Sequence, residues 1–137
     1  MNFKSVTMGT KGLKYDSLEK TIKVYLNKEY SYHDTLSVTI EYTSIPKRGA
    51  YFIQPDSAYP AKPWQIWTQG EDMDNHHWFP CWDFPNDKAT SEVIATVKNG
   101  YTFLSNGTLV SEKENKKEGN NTKTFDNFSE NHNFDQQ

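Results

Sequence analysis

The sequence predicts an all-β fold, a sandwich or curved antiparallel sheet, on three observations. Apolar and polar residues alternate at period two in several short stretches, Asn-Gly pairs stand between such stretches, and no apolar stripe at helical spacing runs for a useful length. In residues 21–26, Ile22, Val24 and Leu26 alternate with Thr21, Lys23 and Tyr25. In residues 35–42, Leu36, Val38, Ile40 and Tyr42 alternate with Thr, Ser and Glu. Both read as half-buried strands, and the polar stretch 27–34 predicts a loop that joins them as a hairpin. After Pro46 and Gly49 a short strand is expected at 51–53, before Pro55, Pro60 and Pro63 exclude regular structure. Residues 64–69 read as extended again.

Pro80 and Pro85 fix φ and remove two donors, so 79–85 should be an ordered, irregular turn, and Pro85-Asn86-Asp87-Lys88 suits a type I turn. Further strands are expected at 91–97, 101–104 and 108–112, with Asn99-Gly100 and Asn106-Gly107 as hairpin signals. Beyond Glu112, Lys, Glu, Asn and Gly dominate, and residues 122–125 can add one more strand. The last residues, 126–137, read as a divergent, disordered tail.

The chain has 137 residues, enough for one domain and too few for two of ordinary size. Its apolar fraction is only 34% while aromatics reach 15%, so any core must be rich in aromatic rings, and the four tryptophans are its first candidates. A single cysteine, Cys81, cannot form an internal disulfide. Lys and Arg number 15 against 18 Asp and Glu, a net charge of −3 without a basic stripe, which argues against nucleic acid as a partner. No apolar run approaches the roughly 20 residues of a membrane span, and residues 1–12 contain no apolar signal-peptide segment. A membrane partner is therefore not expected, and the chain carries no address from which to read its location.

The common catalytic constellations are missing from the sequence: no His-Glu-x-x-His, no Gly-x-Ser-x-Gly, no phosphate-cradling glycine loop and no Cys-x-x-Cys. His76 and His77 invite a metal reading, but adjacent residues on an extended chain point to opposite faces and cannot easily share an ion. Cys81 stands beside Trp82 and two residues before Asp83, with no electropositive group to activate it, and reads as a packing residue. Glu71, Asp72 and Asp74 lack the rest of a calcium loop and read as a solvated loop.

The informative stretch is 64–96. It holds Thr68-Gln69-Gly70-Glu71, then Phe79-Pro80-Cys81-Trp82-Asp83-Phe84-Pro85, then Lys88-Ala89-Thr90 with Glu92. In that order and spacing these pieces resemble the N-terminal domain of the M1 (gluzincin) zinc aminopeptidases. The likeness extends more loosely from about Lys11, through Gly49-Ala50-Tyr51-Phe52, to about Phe125. The resemblance implies a saddle-like antiparallel β-sandwich, incomplete here, with 1–125 as a partial aminopeptidase-type N-terminal β-domain and 126–137 as the divergent tail. It implies a zinc ion in the family's catalytic domain but no cofactor in this chain, which by itself should not hydrolyse peptides. The partners it implies are that thermolysin-like catalytic domain and the N-terminus of a peptide substrate.

By the same resemblance, Gln69 and Glu71 are the substrate-binding residues, reaching the free α-amine of the peptide. No residue of this chain is assigned a catalytic or metal-ligating role. The chemistry agrees, since residues i and i+2 of an extended segment point the same way, and a carboxylate suits a protonated amine. Asp83 is expected to accept backbone N–H groups within its turn, and Trp64, Trp67, Trp78 and Trp82 to fill the core and an interface. His76 stands where many family members place Arg, which makes any ion pair there pH-dependent. The alternative is a free-standing β-sandwich that binds a carbohydrate or peptide through its tryptophans, a reading that has no need of the Gln69-Gly70-Glu71 strip.

Overall fold

The structure, a computed structural model, describes residues 1–19, 21–86, 89–116 and 118–127, and its regular elements are antiparallel strands with one 3-10 turn. The chain divides into two compact units, Met1–Phe84 and Pro85–Gln137. Among the described residues no helix is long and apolar enough to cross a membrane.

The first unit contains β1 (Asn2–Met8), β2 (Lys11–Gly12), β3 (Lys14–Ser17), β4 (Ile22–Tyr25), β5 (Thr39–Thr43), β6 (Ala50–Ile53) and β7 (Gln65–Thr68). They form a three-stranded sheet in the order β2-β1-β5 and two hairpins, β3-β4 and β6-β7. β1 shows no clean alternation in sequence because it carries a bulge. Phe3 pairs with Tyr42 and Val6 with Ile40, and the register shifts between Phe3 and Ser5. The extra residue turns Phe3 and Val6, three apart, to one face, a pattern that period two does not detect. Among the described residues Val6 is the most buried apolar side chain, 2% exposed. Phe3 packs edge-on against Tyr15 and tilted against Tyr42, with ring centroids 6.3 and 6.4 Å away.

The hairpin expected between 21–26 and 35–42 does not form. β4 pairs instead with β3, and β5 with β1. The Leu18 N–H to Thr21 carbonyl bond of 2.8 Å closes a short turn between β3 and β4, and the shorter loop loses less chain entropy than closure across 26–38. β3 is invisible to patterning because Lys14-Tyr15-Asp16-Ser17 contains one ring and no aliphatic residue. The strands expected at 51–53 and 64–69 are present as β6 and β7.

The second unit is a three-stranded sheet of β8 (Ser91–Lys98), β9 (Thr108–Asn115) and β10 (Asn120–Asn127), in the order β8-β10-β9. The strand expected at 122–125 is thus the longer central one. Phe125, opposite Val93 and Leu109, is 6% exposed and takes the ring of Phe103 edge-on at 5.5 Å. Residues 101–104 are not a strand. The Tyr101 N–H closes a turn onto the Lys98 carbonyl at 3.2 Å, and β8 has its rungs taken by β10 from Ser91 to Lys98. The hairpin of this sheet lies between β9 and β10 and turns through Gly119, φ 65°, rather than at either Asn-Gly pair. The turn expected at 85–88 includes Asp87 and Lys88, and most of the expected tail is 128–137; all of these lie outside the described residues.

Three of the four tryptophans lie outside any core. Trp64, Trp67 and Trp82 are exposed and Trp78 is half-buried, and among the described residues the buried apolar ones are Val6, Ala50 and Phe125. The reason is geometric: Trp64 and Trp67 lie at or in a two-stranded sheet, which has too little surface to cover indoles on either face. Trp67 instead stacks on Tyr51, its partner across the ladder, at 4.4 Å and 18°.

Candidate functional site

The β6-β7 hairpin carries the strip that the sequence singles out. Its register pairs Ala50 with Thr68, and the ladder adds one rung beyond the strands, where the Gln69 N–H donates to the Gly49 carbonyl at 2.9 Å. Gln69 is thereby held by its backbone while its side chain is exposed. Glu71, two residues on, is exposed as well, and the Gln69 Nε2 lies 3.5 Å from its Oε2. The structure therefore brings the two predicted residues together, with a contact long enough for either to turn to another partner. The peptide bond after Glu71 is cis.

Between them, Gly70 has no side chain because there is no room for one. A Cβ there would fall on the carboxamide of Asn75. The Gly70 carbonyl accepts the Asp74 N–H at 3.2 Å, closing a turn over 71–74 that leads into the 3-10 turn Asn75–His77. Asp83 ties this turn down. One of its oxygens, Oδ2, accepts both the His76 backbone N–H at 2.9 Å and a bond from the His76 Nδ1 at 2.8 Å, with the Asn75 side chain near enough to favour the charged carboxylate. Asp83 thus accepts a backbone N–H as expected, though from a residue seven positions earlier rather than from its own turn.

Burial pushes the Asp83 carboxyl up, but the His76 N–H, the His76 ring and the Asn75 side chain together hold it below the usual carboxylate range. A carboxyl whose folded pKa lies below its unfolded value of about 3.9 stabilises the fold fully above that value. That stabilisation is lost as pH falls through the folded value, because there the unfolded chain binds the proton first. Thermal melts should therefore lose stability below about pH 4, and Asp83→Asn should remove part of that acid dependence. An unchanged acid slope in the variant would remove Asp83 from the account.

His76 and His77 are not opposed, as an extended chain would have them. The 3-10 turn sets their rings 4.1 Å apart, and each takes its own carboxylate, His76 on Asp83 and His77 on Asp74, the latter at 3.6 Å. Arg48 reaches Asp74 at 3.1 Å from the adjoining loop. Among the described residues no three His, Cys, Asp or Glu side chains converge as metal ligands. Because the sequence offers no zinc-ligand spacing, metal analysis of the dialysed chain should find no stoichiometric zinc, and one tightly held zinc per chain would overturn this. Cys81 is exposed rather than the packing residue expected; partial desolvation of its sulfur, with the Asp83 carboxylate nearby, pushes the thiol up to about 11, so it does not supply a thiolate near neutral pH.

Sequence reasoning missed the supporting set of Arg48, Gly49, Asp74 and Asn75. The signal lay in the glycines that flank β6 and follow β7, at positions 49 and 70, each of which marks a close approach of another segment.

Over residues 3–131 the chain matches the peptidase M1 N-terminal domain. It is 30% identical over 89 residues to aminopeptidase RNPEPL1 of Homo sapiens, and to the same extent to aminopeptidase RNPEPL1 of Mus musculus. Each alignment covers 64% of this chain and 12% of the relative, so the matched part spans a small share of the length of these curated relatives. No solved structure matches the chain.

Proposed function

Because the chain belongs to the peptidase M1 N-terminal domain family, we propose that it serves a zinc aminopeptidase as the domain that receives the free amino terminus of the substrate, using Gln69 and Glu71. The observation that supports this reading is the placement of an exposed amide and an exposed carboxylate side by side, 3.5 Å apart, at the end of β7. A carboxylate accepts charge-assisted hydrogen bonds from an ammonium, and an amide oxygen accepts another. Together they distinguish a free amine from an internal amide, which carries no charge and has one N–H to donate. Family membership implies zinc in the catalytic domain, where it would supply Lewis-acid activation of water and of the scissile carbonyl. The side chains described here do not assemble a site for that ion. What this chain contributes is recognition of the amine and one wall of the cleft.

The test uses the enzyme that joins this chain to an M1 catalytic domain. Leucine hydroxamate and its des-amino analogue differ only in the amine, so the ratio of their inhibition constants isolates what the amine contributes. Glu71→Ala should shrink that ratio. An unchanged ratio would return Glu71 to the role of an exposed strand end.

A further inference from the structure

The Gln69-Gly70-Glu71 strip is attached to its unit at two places. One is the β6 end, through the Gln69 N–H on the Gly49 carbonyl. The other is Gly70, whose carbonyl holds the Asp74 N–H and whose Cα lies against the Asn75 carboxamide. The segment Asn75-His76 is in turn held by one carboxylate, since the Asp83 side chain, 9% exposed, takes the His76 N–H at 2.9 Å and the His76 ring at 2.8 Å, and the Asn75 side chain is near enough to help lower its pKa. We propose that Asp83 is a positioning residue for amine recognition, acting through Asn75 on Gly70 and so on the placement of Gln69 and Glu71. The proposal rests on the amine-recognition reading and extends it to a residue that touches no substrate.

The geometry favours action on the strip over a general role in packing. Asp83 makes its bonds with the residues of the 3-10 turn, and the carboxamide of Asn75 occupies the space a Gly70 side chain would need. Two further attachments keep the turn in place without Asp83. The Asp74 carboxylate is held by Arg48 at 3.1 Å and faces the His77 ring at 3.6 Å. The Trp78 N–H and the Phe79 N–H both donate to the Asn75 carbonyl, at 3.0 and 3.1 Å. Removal of the Asp83 carboxylate should therefore loosen the Asn75 side chain, and with it the strip, before it unravels the turn.

The experiment is the same inhibitor ratio, measured in the same enzyme, for Asp83→Asn, Asn75→Ala, Glu71→Ala and the double variant Asp83→Asn/Glu71→Ala. Asp83→Asn keeps an oxygen for the His76 N–H and loses the charge, so it preserves most of the fold. Asn75→Ala removes the carboxamide beneath Gly70 and leaves the Asp83 pair with His76. Both single variants should weaken binding of the free-amine inhibitor severalfold while leaving the des-amino analogue unchanged. In the double variant the loss should exceed that of Glu71→Ala by less than Asp83→Asn costs alone, because only Gln69 is left to position. Equal losses on both inhibitors, or additive losses in the double variant, would assign Asp83 to folding alone and overturn the proposal. A ratio lowered by Glu71→Ala but untouched by Asp83→Asn and Asn75→Ala would overturn the positioning role and leave amine recognition standing. A ratio untouched by Glu71→Ala would end both.

Discussion

Glu71→Ala is expected to lower kcat/KM for unblocked aminoacyl substrates by roughly ten- to a hundredfold in an enzyme that combines this chain with its catalytic domain. The magnitude follows from the type of bond lost. A hydrogen bond to a charged group contributes about 1.5–3 kcal/mol, and each 1.36 kcal/mol is about tenfold in rate. Gln69→Ala, which removes a neutral partner, should have the smaller effect. Neither change should move the melting temperature, because both side chains are exposed and the strip is held by backbone bonds to Gly49 and Asp74. The measurement is kcat/KM for wild type and each variant beside a thermal melt. Full activity in Glu71→Ala, or a loss that merely tracks unfolding, would refute the role given to the carboxylate.

Gly49→Ala should destabilise the first unit by roughly 2–4 kcal/mol, the largest effect on folding expected of any single substitution considered. Gly49 is buried and has φ 79°, in the left-handed region that a side chain disfavours by about 1–2 kcal/mol. Its added Cβ would also overlap the Asp74 carbonyl oxygen and come within 3.0 Å of the Trp78 ring. Backbone on one side and a half-buried indole on the other leave no flexible atom to yield. In a unit of this size the loss corresponds to a fall in melting temperature of roughly 10 °C or more. Gly9→Ala is the control: its φ is 60°, but its Cβ would meet nothing within 4 Å, so it should show the conformational penalty alone. Equal melts for the two variants would mean that the contact with Asp74 and Trp78 carries no strain. Because the Gly49 carbonyl holds the Gln69 N–H, the same substitution should also displace the Gln69-Gly70-Glu71 strip.

Strands were legible wherever one face alternates cleanly, as in Ile22-Lys23-Val24 and Ile40-Glu41-Tyr42 of β4 and β5. They were illegible where a bulge or a polar composition broke the alternation, as in β1 and β3. Partner choice was harder than strand identity. The Asn-Gly pairs at 99–100 and 106–107 do supply turns, with Gly100 and Gly107 at φ 92° and 93°, yet neither joins two paired strands. A turn signal specifies local dihedrals, whereas pairing depends on which strand offers the longest run of rungs. For β8 that was β10, across 120–127.

For the site, Gln69 and Glu71 could be named from the Thr-Gln-Gly-Glu pattern, and their shared orientation followed from residues two apart on an extended chain. Nothing in that pattern indicates what lies beneath Gly70. By itself the sequence determined the all-β class, the family and the two polar residues of the strip, because each is written in local order and spacing. Only the tertiary structure decided that Asp83 reaches back to His76 and Asn75, that Asp74 is shared by Arg48 and His77, and that Gly49 and Gly70 are points of close approach. These contacts join residues up to 29 positions apart, as Gly49 and Trp78 are. Their existence depends on loop closure and on the space left between packed segments, neither of which local order or spacing encodes.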